Sequence, residues 1–350
     1  MIVDRRLGYP IVIAADVRSQ LAARVNGLKS RCIILCDANH RVAGLARDLA
    51  LRLRRAPTVI GVRLGEQRKN AATLEWIWEE VARSGAGRDA IAVGVGGGVA
   101  SDIFGLAAAT YVRGIPYLHV ATSLVAMADA AIGGKTGIDL RAGKNLAGVF
   151  ADPIGVYVHV TALRTLPFRH LREGLAEIVK ASIIDGGTLF RTLERFAPRH
   201  FADWPWEDVV ARAIRVKTSI VAKDRTESGP RELLNLGHTF GHAFERASEY
   251  RITHGAAVAL GLRAAGLLAL RLGMFSAREQ QRLEALLGKL QMPLGTSVQP
   301  KAAWEAMQYD KKRRNERLRF VLPRAIGRVE YGIEASERDV LSVLKEVGES

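Results

Sequence analysis

The stretch Asn235-Leu-Gly-His238-Thr-Phe-Gly-His242-Ala-Phe-Glu245 carries two imidazoles one helical turn apart, so they project from the same face. His254 follows just ahead of another helix-like run, and three of the chain's eight histidines thus fall between 238 and 254. Upstream, Glu173-Gly-Leu-Ala-Glu177-Ile-Val-Lys180 sets Glu177 and Lys180 one turn apart. Imidazoles with a carboxylate form a usual Zn²⁺ donor set that leaves a position open for substrate. Any one of these histidines reads equally as a hydrogen-bonded structural residue, whereas a cluster this dense reads as a metal site. Spacing alone selects His238 with His242 as the ligand pair.

The lysines carry a second signal. The formal net charge is +15, and of 51 basic residues only 12 are Lys. Yet Lys135, Lys144, Lys180 and Lys217 lie in or beside the segments singled out here. A compact ammonium differs from a planar guanidinium, so a chain that otherwise uses Arg keeps Lys where a specific contact is made. The basic balance fits an anionic substrate. Nucleic-acid binding is the competing reading, but the charge is spread along the chain apart from Lys311-Lys-Arg-Arg-Asn-Glu-Arg317, aromatics are 6%, and no zinc-finger or RNA-binding signature occurs.

Two glycine-rich segments suit anionic ligands. Ala90-Ile-Ala-Val-Gly-Val-Gly-Gly-Gly-Val-Ala-Ser-Asp102 reads as a strand, a glycine turn and a helix start. Consecutive glycines let a backbone approach a pyrophosphate, and the helix start offers free N–H groups. The alternative is a tight turn without ligand, because Val99 and Ser101 depart from the usual dinucleotide spacing. The turn also lies some way into the chain rather than in its first strand–helix unit. Asp102 suits the helix dipole and could accept from a cofactor hydroxyl. The segment from Ala121 through Asp129 and Gly133-Gly-Lys135-Thr-Gly to Lys144-Asn145 reads as a long flexible loop. It is not a Walker A motif, since Ala130 stands where a glycine is required. It is either a polar anion site or a solvated surface loop.

These groups must be held by elements the pattern also shows. Apolar runs at Cys32–Cys36, Thr58–Val62, Ala90–Val95 and Tyr117–Val120 read as strands, alternating with helices near Leu74–Ser84 and Val99–Tyr111. That alternation predicts a parallel sheet faced by helices. From about Leu166 the pattern turns helical, over Arg169–Ile183, Trp206–Ala222, Glu232–Ser248, Ala256–Leu272 and Ala277–Leu290. A short hairpin over Leu318–Leu322 and Arg328–Tyr331 and a helix over Ser336–Val347 complete it. The fold class is thus an α/β N-terminal nucleotide-binding domain plus a mainly α-helical C-terminal metal and substrate domain. The expected domains are residues 1–160 and 161–350, with the boundary near Asp152-Pro153 and a cleft between them. The chain is 48% hydrophobic with mean hydropathy +0.05, and no run reaches the roughly 18 uncharged apolar residues of a membrane span. No signal peptide is read at the N-terminus. The two cysteines, Cys32 and Cys36, sit in a strand-like run, so a reducing, cytoplasmic setting is expected.

Taken together, Gly96-Gly-Gly-Val-Ala-Ser-Asp102, Ala107-Ala-Ala-Thr-Tyr-Val-Arg-Gly114, Asp129 with Gly133-Gly-Lys-Thr-Gly137, Gly143-Lys-Asn145, Leu175-Ala-Glu-Ile-Val-Lys180, Leu233-Leu-Asn-Leu-Gly-His-Thr-Phe-Gly-His242 and His254-Gly255 resemble the 3-dehydroquinate synthase family of sugar-phosphate cyclases. Asp310-Lys-Lys312 and Leu318-Arg-Phe-Val-Leu-Pro323 extend the likeness, in order, over nearly the whole chain. The resemblance implies a dehydroquinate synthase-like fold, an NAD cofactor, a divalent metal (Zn or Co) and a homodimer. It implies Glu177, His238 and His254 as metal ligands, which revises the pair taken from spacing and leaves His242 to the substrate. Lys135, Asn145 and His242 would surround the substrate phosphate, with Lys311 or Lys312 and an Arg113 donated by a second copy. Lys217 and Arg231 would hold the carboxylate; Lys180, Asn235 and Asp129 would meet ring hydroxyls. Glu66, Lys69, Gly97, Gly98, Val99, Asp102, Thr122, Ser123, Lys144 and Thr165 would lie along NAD, together with Asp129 and Lys135. The implied substrate is a small phosphorylated sugar acid, 3-deoxy-arabino-heptulosonate 7-phosphate. The implied reaction oxidises one carbinol, eliminates phosphate, reduces the ketone again and closes the ring by an aldol step, regenerating NAD in each turnover as part of aromatic amino acid synthesis.

Several positions depart from the family pattern: Arg225, Phe168 and His170 where acids are usual, and Met127 and Ala130 where polar residues are. They touch the cofactor surroundings and spare the metal ligands. Rival readings are a sister cyclase acting on an amino analogue in a secondary pathway, a metal-dependent NAD alcohol dehydrogenase that would release NADH, and a non-catalytic basic binding protein.

Overall fold

A computed structural model of the protein describes residues 1–197, 200–314 and 318–349, and the side chains of 310–314 fall outside it. Lys311 and Lys312 therefore lie outside the described side chains. The chain forms two compact units: residues 1–166 with 206–218, and residues 167–205 with 219–350. The sequence places a division at 160/161; the first part of the helix from Trp206 clusters with the sheet instead.

The first unit is built on β1 (Ile2–Asp4), β2 (Ile11–Ala14), α1 (Arg18–Leu28), β3 (Arg31–Asp37), α2 (His40–Ala50), β4 (Thr58–Val62), α3 (Ala71–Arg83), β5 (Ala90–Gly96), α4 (Gly98–Thr110), β6 (Tyr117–Ala121), β7 (Lys135–Leu140), β8 (Gly143–Phe150) and β9 (Val156–His159). A seven-stranded sheet runs in the order β1-β2-β9-β6-β5-β3-β4. Its pairings are parallel except β1 with β2. The central strands are covered on both faces, which is why they read as unbroken apolar runs. Ile33, Leu35, Ala90 and Ala92 pack on one face with Leu74, Ile77 and Ile103. Cys32, Ile34, Cys36, Ile91, Val93 and Val95 face the other way, onto Leu21, Val25, Ala46 and Leu49. So α2, which follows β3, and α4, which follows β5, cover opposite faces. The adjacent ends of β3 and β5 are a topological switch point, where open α/β sheets bind ligands. This gives the glycine turn the position of a dinucleotide site although it is not in the first strand–helix unit.

The segment expected as a flexible loop is structured. Residues Ala126–Ala130 form a wide turn in which the Ala131 N–H donates to the Ala126 carbonyl at 3.2 Å. Beyond it β7 and β8 form an antiparallel hairpin. Lys135 opens β7, and Lys144 and Asn145 lie on β8. Glycine and charged residues disguise these strands, which take their ladder from one another.

His119, on β6, is buried beside Tyr117 with ring centroids 5.1 Å apart. Burial pushes its imidazole down from 6.5 to about 4. The folded state thus resists a proton that the unfolded chain accepts below its ordinary value, so the contribution is complete above about pH 6.5 and lost as pH falls toward 4. Between pH 7 and 5 this amounts to about 2 kcal/mol at 1.36 kcal/mol per pH unit. The drop in urea midpoint from pH 7 to pH 5 should be smaller in His119→Gln than in wild type; equal drops would exclude His119 as a source of acid sensitivity.

The second unit contains α5 (Phe168–Ile184), α6 (Thr188–Phe196), the end of α7 (Trp206–Val221), α8 (His238–Ala247), α9 (His254–Arg271), α10 (Ala277–Lys289), α11 (Pro300–Arg314), the hairpin β10 (Phe320–Ala325) with β11 (Arg328–Ile333), and α12 (Glu337–Gly348). Helix α9 is buried on every side over Ala257–Ala269, so it is the core around which α5, α8, α10, α12 and β10 pack. The helix expected over Glu232–Ser248 is broken. A short 3₁₀ turn spans Pro230–Asn235, and Gly237, at φ +77°, turns the chain into α8. That left-handed residue makes His238 the first residue of α8. Among the described residues no helix is long and apolar enough to cross a membrane.

Candidate active site

In the second unit Glu177 comes from the middle of α5, His238 from the first residue of α8 and His254 from the first residue of α9. One ligand atom from each lies within 4.8 Å of the others. Glu177 Oε1 is 3.2 Å from His254 Nε2 and 3.6 Å from His238 Nε2. Its other oxygen, Oε2, is 2.5 Å from Lys180 Nζ. The pair read from spacing, His238 with His242, is not the group the structure assembles. His242 is exposed and stands edge-on to His238 with centroids 5.4 Å apart.

The electrostatics of this group suit a cation. Burial works to raise the Glu177 carboxyl, but the Lys180 ammonium and both imidazoles outweigh it and hold it well below the usual range. Burial, with Lys180, pushes His238 down to about 3. Burial also opposes charge on His254, yet hydrogen bonds to Glu177 and Glu245 overcome it and raise the imidazole to about 10. Glu177 is thus held as the carboxylate and His238 as the neutral imidazole, the forms that ligate a metal, while the two acids favour positive charge at the His254 ring. One carboxylate and two imidazoles that converge on that point are the donor set of a Zn²⁺-like ion, and they fit it.

Beside this group, Asn235 donates from Nδ2 to Glu227 Oε1 at 2.8 Å. Arg231 is 1% exposed and donates to the Arg225 carbonyl. The Asp224 carboxylate ties the loop by accepting the N–H groups of Ser228, Gly229 and Arg231 at 3.2, 2.8 and 3.1 Å. Glu227 carries no signal of this role in the sequence. Its left-handed φ of +62° aims it at Asn235, and nothing in the local pattern announces that conformation. Arg225, the departure noted above, contributes its backbone oxygen here. Phe168 and His170 lie in the first turn of α5, where Phe168 stacks on Phe201 at 5.2 Å.

In the first unit the glycine turn joins β5 to α4, with Val99 and Asp102 in the first helical turn. A side-chain carbon at Gly97 would sit 3.0 Å from Ser123 Oγ, and one at Gly98 would sit 3.2 Å from Val125, so either would crowd its neighbour. Thr122 follows β6 and donates its N–H to the Gly96 carbonyl at 3.0 Å. Lys69, 4% exposed, reaches Asp102 Oδ2 at 2.6 Å and also donates to the Asn145 side chain. Burial pushes the Asp102 carboxyl up to about 6 against the pull of Lys69. Asn145, at φ +55°, is held by its N–H to Asp139 Oδ1 at 2.7 Å. Lys144 pairs with Glu66 at 3.2 Å. Lys217, on α7, reaches both the carbonyl and the carboxylate of Asp129 at 2.7 and 2.5 Å. Thr165 closes the turn after β9, and its carbonyl accepts from Arg41. Lys135 and Arg113 are exposed, Arg113 with φ +70°. Asp37, at the end of β3 beside the glycine turn, was not singled out from sequence. An acid on the strand next to such a turn suits ribose hydroxyls.

A doubly wound sheet with a glycine turn at its switch point, and a separate helical unit with a converging carboxylate and imidazoles, define the dehydroquinate synthase-like class. Residues 59–173 match the family model described as 3-dehydroquinate synthase N-terminal, and residues 174–313 match 3-dehydroquinate synthase C-terminal. The 3-dehydroquinate synthase of Synechococcus sp. is 40% identical over 290 residues, 81% of this chain and 79% of that protein. That of Xanthomonas oryzae pv. oryzae is 38% identical over 359 residues, 98% of this chain and 96% of that one. Among solved structures, 2-epi-5-epi-valiolone synthase from Streptomyces hygroscopicus subsp. jinggangensis 5008, with NAD⁺ and Zn²⁺ bound, superposes with a TM-score of 0.88 at 27% identity over 97% of each chain. The chain belongs to the 3-dehydroquinate synthase family, whose members are enzymes of the phosphate-eliminating cyclase type.

Proposed function

We propose that the protein converts 3-deoxy-arabino-heptulosonate 7-phosphate to 3-dehydroquinate and inorganic phosphate, using NAD and one divalent metal, Zn²⁺ or Co²⁺. The observation that carries this reading is the convergence of Glu177, His238 and His254, with Lys180 braced on the far oxygen of Glu177. Bound NAD⁺ supplies reversible removal of hydride from a carbinol, and a bound divalent cation supplies the charge that acidifies neighbouring hydroxyls.

The protein's own groups bind and orient. In the first unit, the glycine turn from Gly97 to Val99, with Thr122, Ser123, Thr165, Asp102, Lys69, Glu66 and Lys144, is assigned to NAD. Lys69 neutralises Asp102 there, so a half-buried acid can stay ionised and accept from a cofactor hydroxyl at neutral pH. Lys135 and Asn145 are assigned to the phosphate, as is His242 in the second unit, where an exposed imidazole can hold or give up a proton as phosphate departs. Lys217 and Arg231 are assigned to the carboxylate. Asp129, Lys180 and Asn235 are assigned to ring hydroxyls, and Glu227 orients Asn235. Arg113, exposed on a left-handed turn, is assigned to the phosphate of a second copy, and the working form in this reading is a cytoplasmic homodimer.

The test is to incubate the purified protein with the heptulosonate phosphate, NAD⁺ and Zn²⁺ while following inorganic phosphate and NADH absorbance together. Phosphate release without net NADH, abolished by a chelator, is expected. Accumulating NADH without phosphate would make the protein a simple dehydrogenase. Turnover confined to the amino analogue would move it to a sister cyclase.

A further inference from the structure

The three candidate ligands are not equally supported. The Glu177 side chain is 2% exposed and that of His238 is 13% exposed, whereas His254 is 36% exposed. An imidazole that open, on the first residue of a helix, keeps rotamer freedom unless something outside the ligand set restrains it. A loosely held ligand would weaken the whole centre.

Two further acids restrain it. Glu245, in the last turn of α8 and 3% exposed, brings Oε2 to 3.5 Å from His254 Nδ1. With Nδ1 engaged there, Nε2 is the nitrogen turned toward Glu177 Oε1 at 3.2 Å. His238 follows the same rule with a neutral partner, since its Nδ1 lies 3.2 Å from the Leu236 carbonyl. Outer oxygens on the second ring nitrogen are how ligand imidazoles are held in one tautomer and one orientation.

Glu173 acts on the backbone. It lies one turn before Glu177 on α5. Its Oε1 accepts the Thr253 hydroxyl at 2.5 Å, and its Oε2 accepts the Gly255 N–H at 2.5 Å. It therefore grips the residues on either side of His254. Gly255 permits this, because a side-chain carbon there would collide with the Glu173 backbone. The helix that presents Glu177 thus also seats the residue that presents His254, and the spacing between the two ligands follows from one turn of α5.

We infer that Glu245 and Glu173 are positioning residues for His254, the first through its ring and the second through its backbone. This rests on reading Glu177, His238 and His254 as a divalent-cation site. A purely structural reading is available: Glu173 also caps the N-terminus of α9, and such a cap would stabilise the helix with or without metal. The two readings separate when metal affinity is measured on protein that is already folded.

The experiment uses the full chain stripped of metal, as wild type, Glu245→Gln, Glu173→Gln and Glu177→Gln. Zn²⁺ and Co²⁺ dissociation constants are measured against a chromophoric chelator, the visible Co²⁺ bands are recorded, and thermal unfolding of the stripped proteins controls for folding. Both positioning variants should bind about 10–100-fold more weakly, the usual cost of losing an outer-shell partner. Glu245→Gln should also shift the Co²⁺ bands, because His254 turns. Wild-type affinity and bands in both variants would overturn the inference, including the case where only thermal stability falls. Should Glu245→Gln lose its fold, Glu245→Asp, which keeps the charge and retracts it, must show the same weakened affinity. If wild type binds no more metal than Glu177→Gln, the metal-centre reading itself fails.

Discussion

Glu177→Gln should lower turnover by about three orders of magnitude, because a Lewis-acid centre is worth several kcal/mol and each decade corresponds to 1.36 kcal/mol. Two effects combine. A carboxamide is a poor ligand for a hard or borderline divalent cation, so the centre loses its one anionic donor among three. Lys180 then keeps a buried ammonium whose carboxylate partner, 2.5 Å away, has gone. Breaking a buried pair from one side typically costs about 3–5 kcal/mol, so the variant should also melt at a lower temperature. Steady-state phosphate release, metal content after dialysis and a melting curve form the measurement. Excess Zn²⁺ should restore little activity. A variant that keeps near wild-type turnover and metal content would remove Glu177 from the centre.

Lys217→Met should reduce kcat/KM for the carboxylate-bearing substrate by about 100-fold or more. Hydrogen bonds to charged groups are each worth about 1.5–3 kcal/mol, and the Asp129 carboxylate would lose the Lys217 ammonium beside an anionic substrate. Lys217 is buried and bridges the backbone carbonyl and one carboxylate oxygen of Asp129. The informative comparison uses a carboxylate-free sugar phosphate as second substrate. If Lys217 recognises the carboxylate, the loss on that compound is much smaller. Equal losses on both would show that Lys217 acts by holding Asp129 in its wide turn, and the carboxylate assignment would be withdrawn.

The cofactor side offers a contrast in how function is written into the chain. The β5 strand and its glycine turn are visible in sequence because a strand buried on both faces must be apolar and a turn at a helix start needs small residues. Lys69 and Asn145 are not visibly neighbours. They lie far apart in the chain and meet because Asn145 adopts a left-handed backbone that Asp139 holds in place. The β7–β8 hairpin was hidden for a related reason. Its strands mix apolar residues with glycine and with Lys135, Asp139 and Lys144 without clean alternation, and owe their regularity to mutual pairing rather than to their own pattern.

The layered first unit, the helical second unit, the family and the residue types for a metal centre and an anion site are all legible along the chain. Those properties follow from local periodicity and from motifs read in order, and both survive in one dimension. Which side chains converge follows from the packing of the folded chain. Helical spacing puts His238 and His242 on one face of α8, yet the carboxylate lies on α5 and the remaining imidazole on α9, so His254 joins the group while His242 faces outward. The same packing places Glu245 and Glu173, two acids unremarkable in sequence, behind His254. Ligand geometry depends on how three helices cross, and that is set by the packing of their buried faces around α9 rather than by the spacing of residues along any one of them.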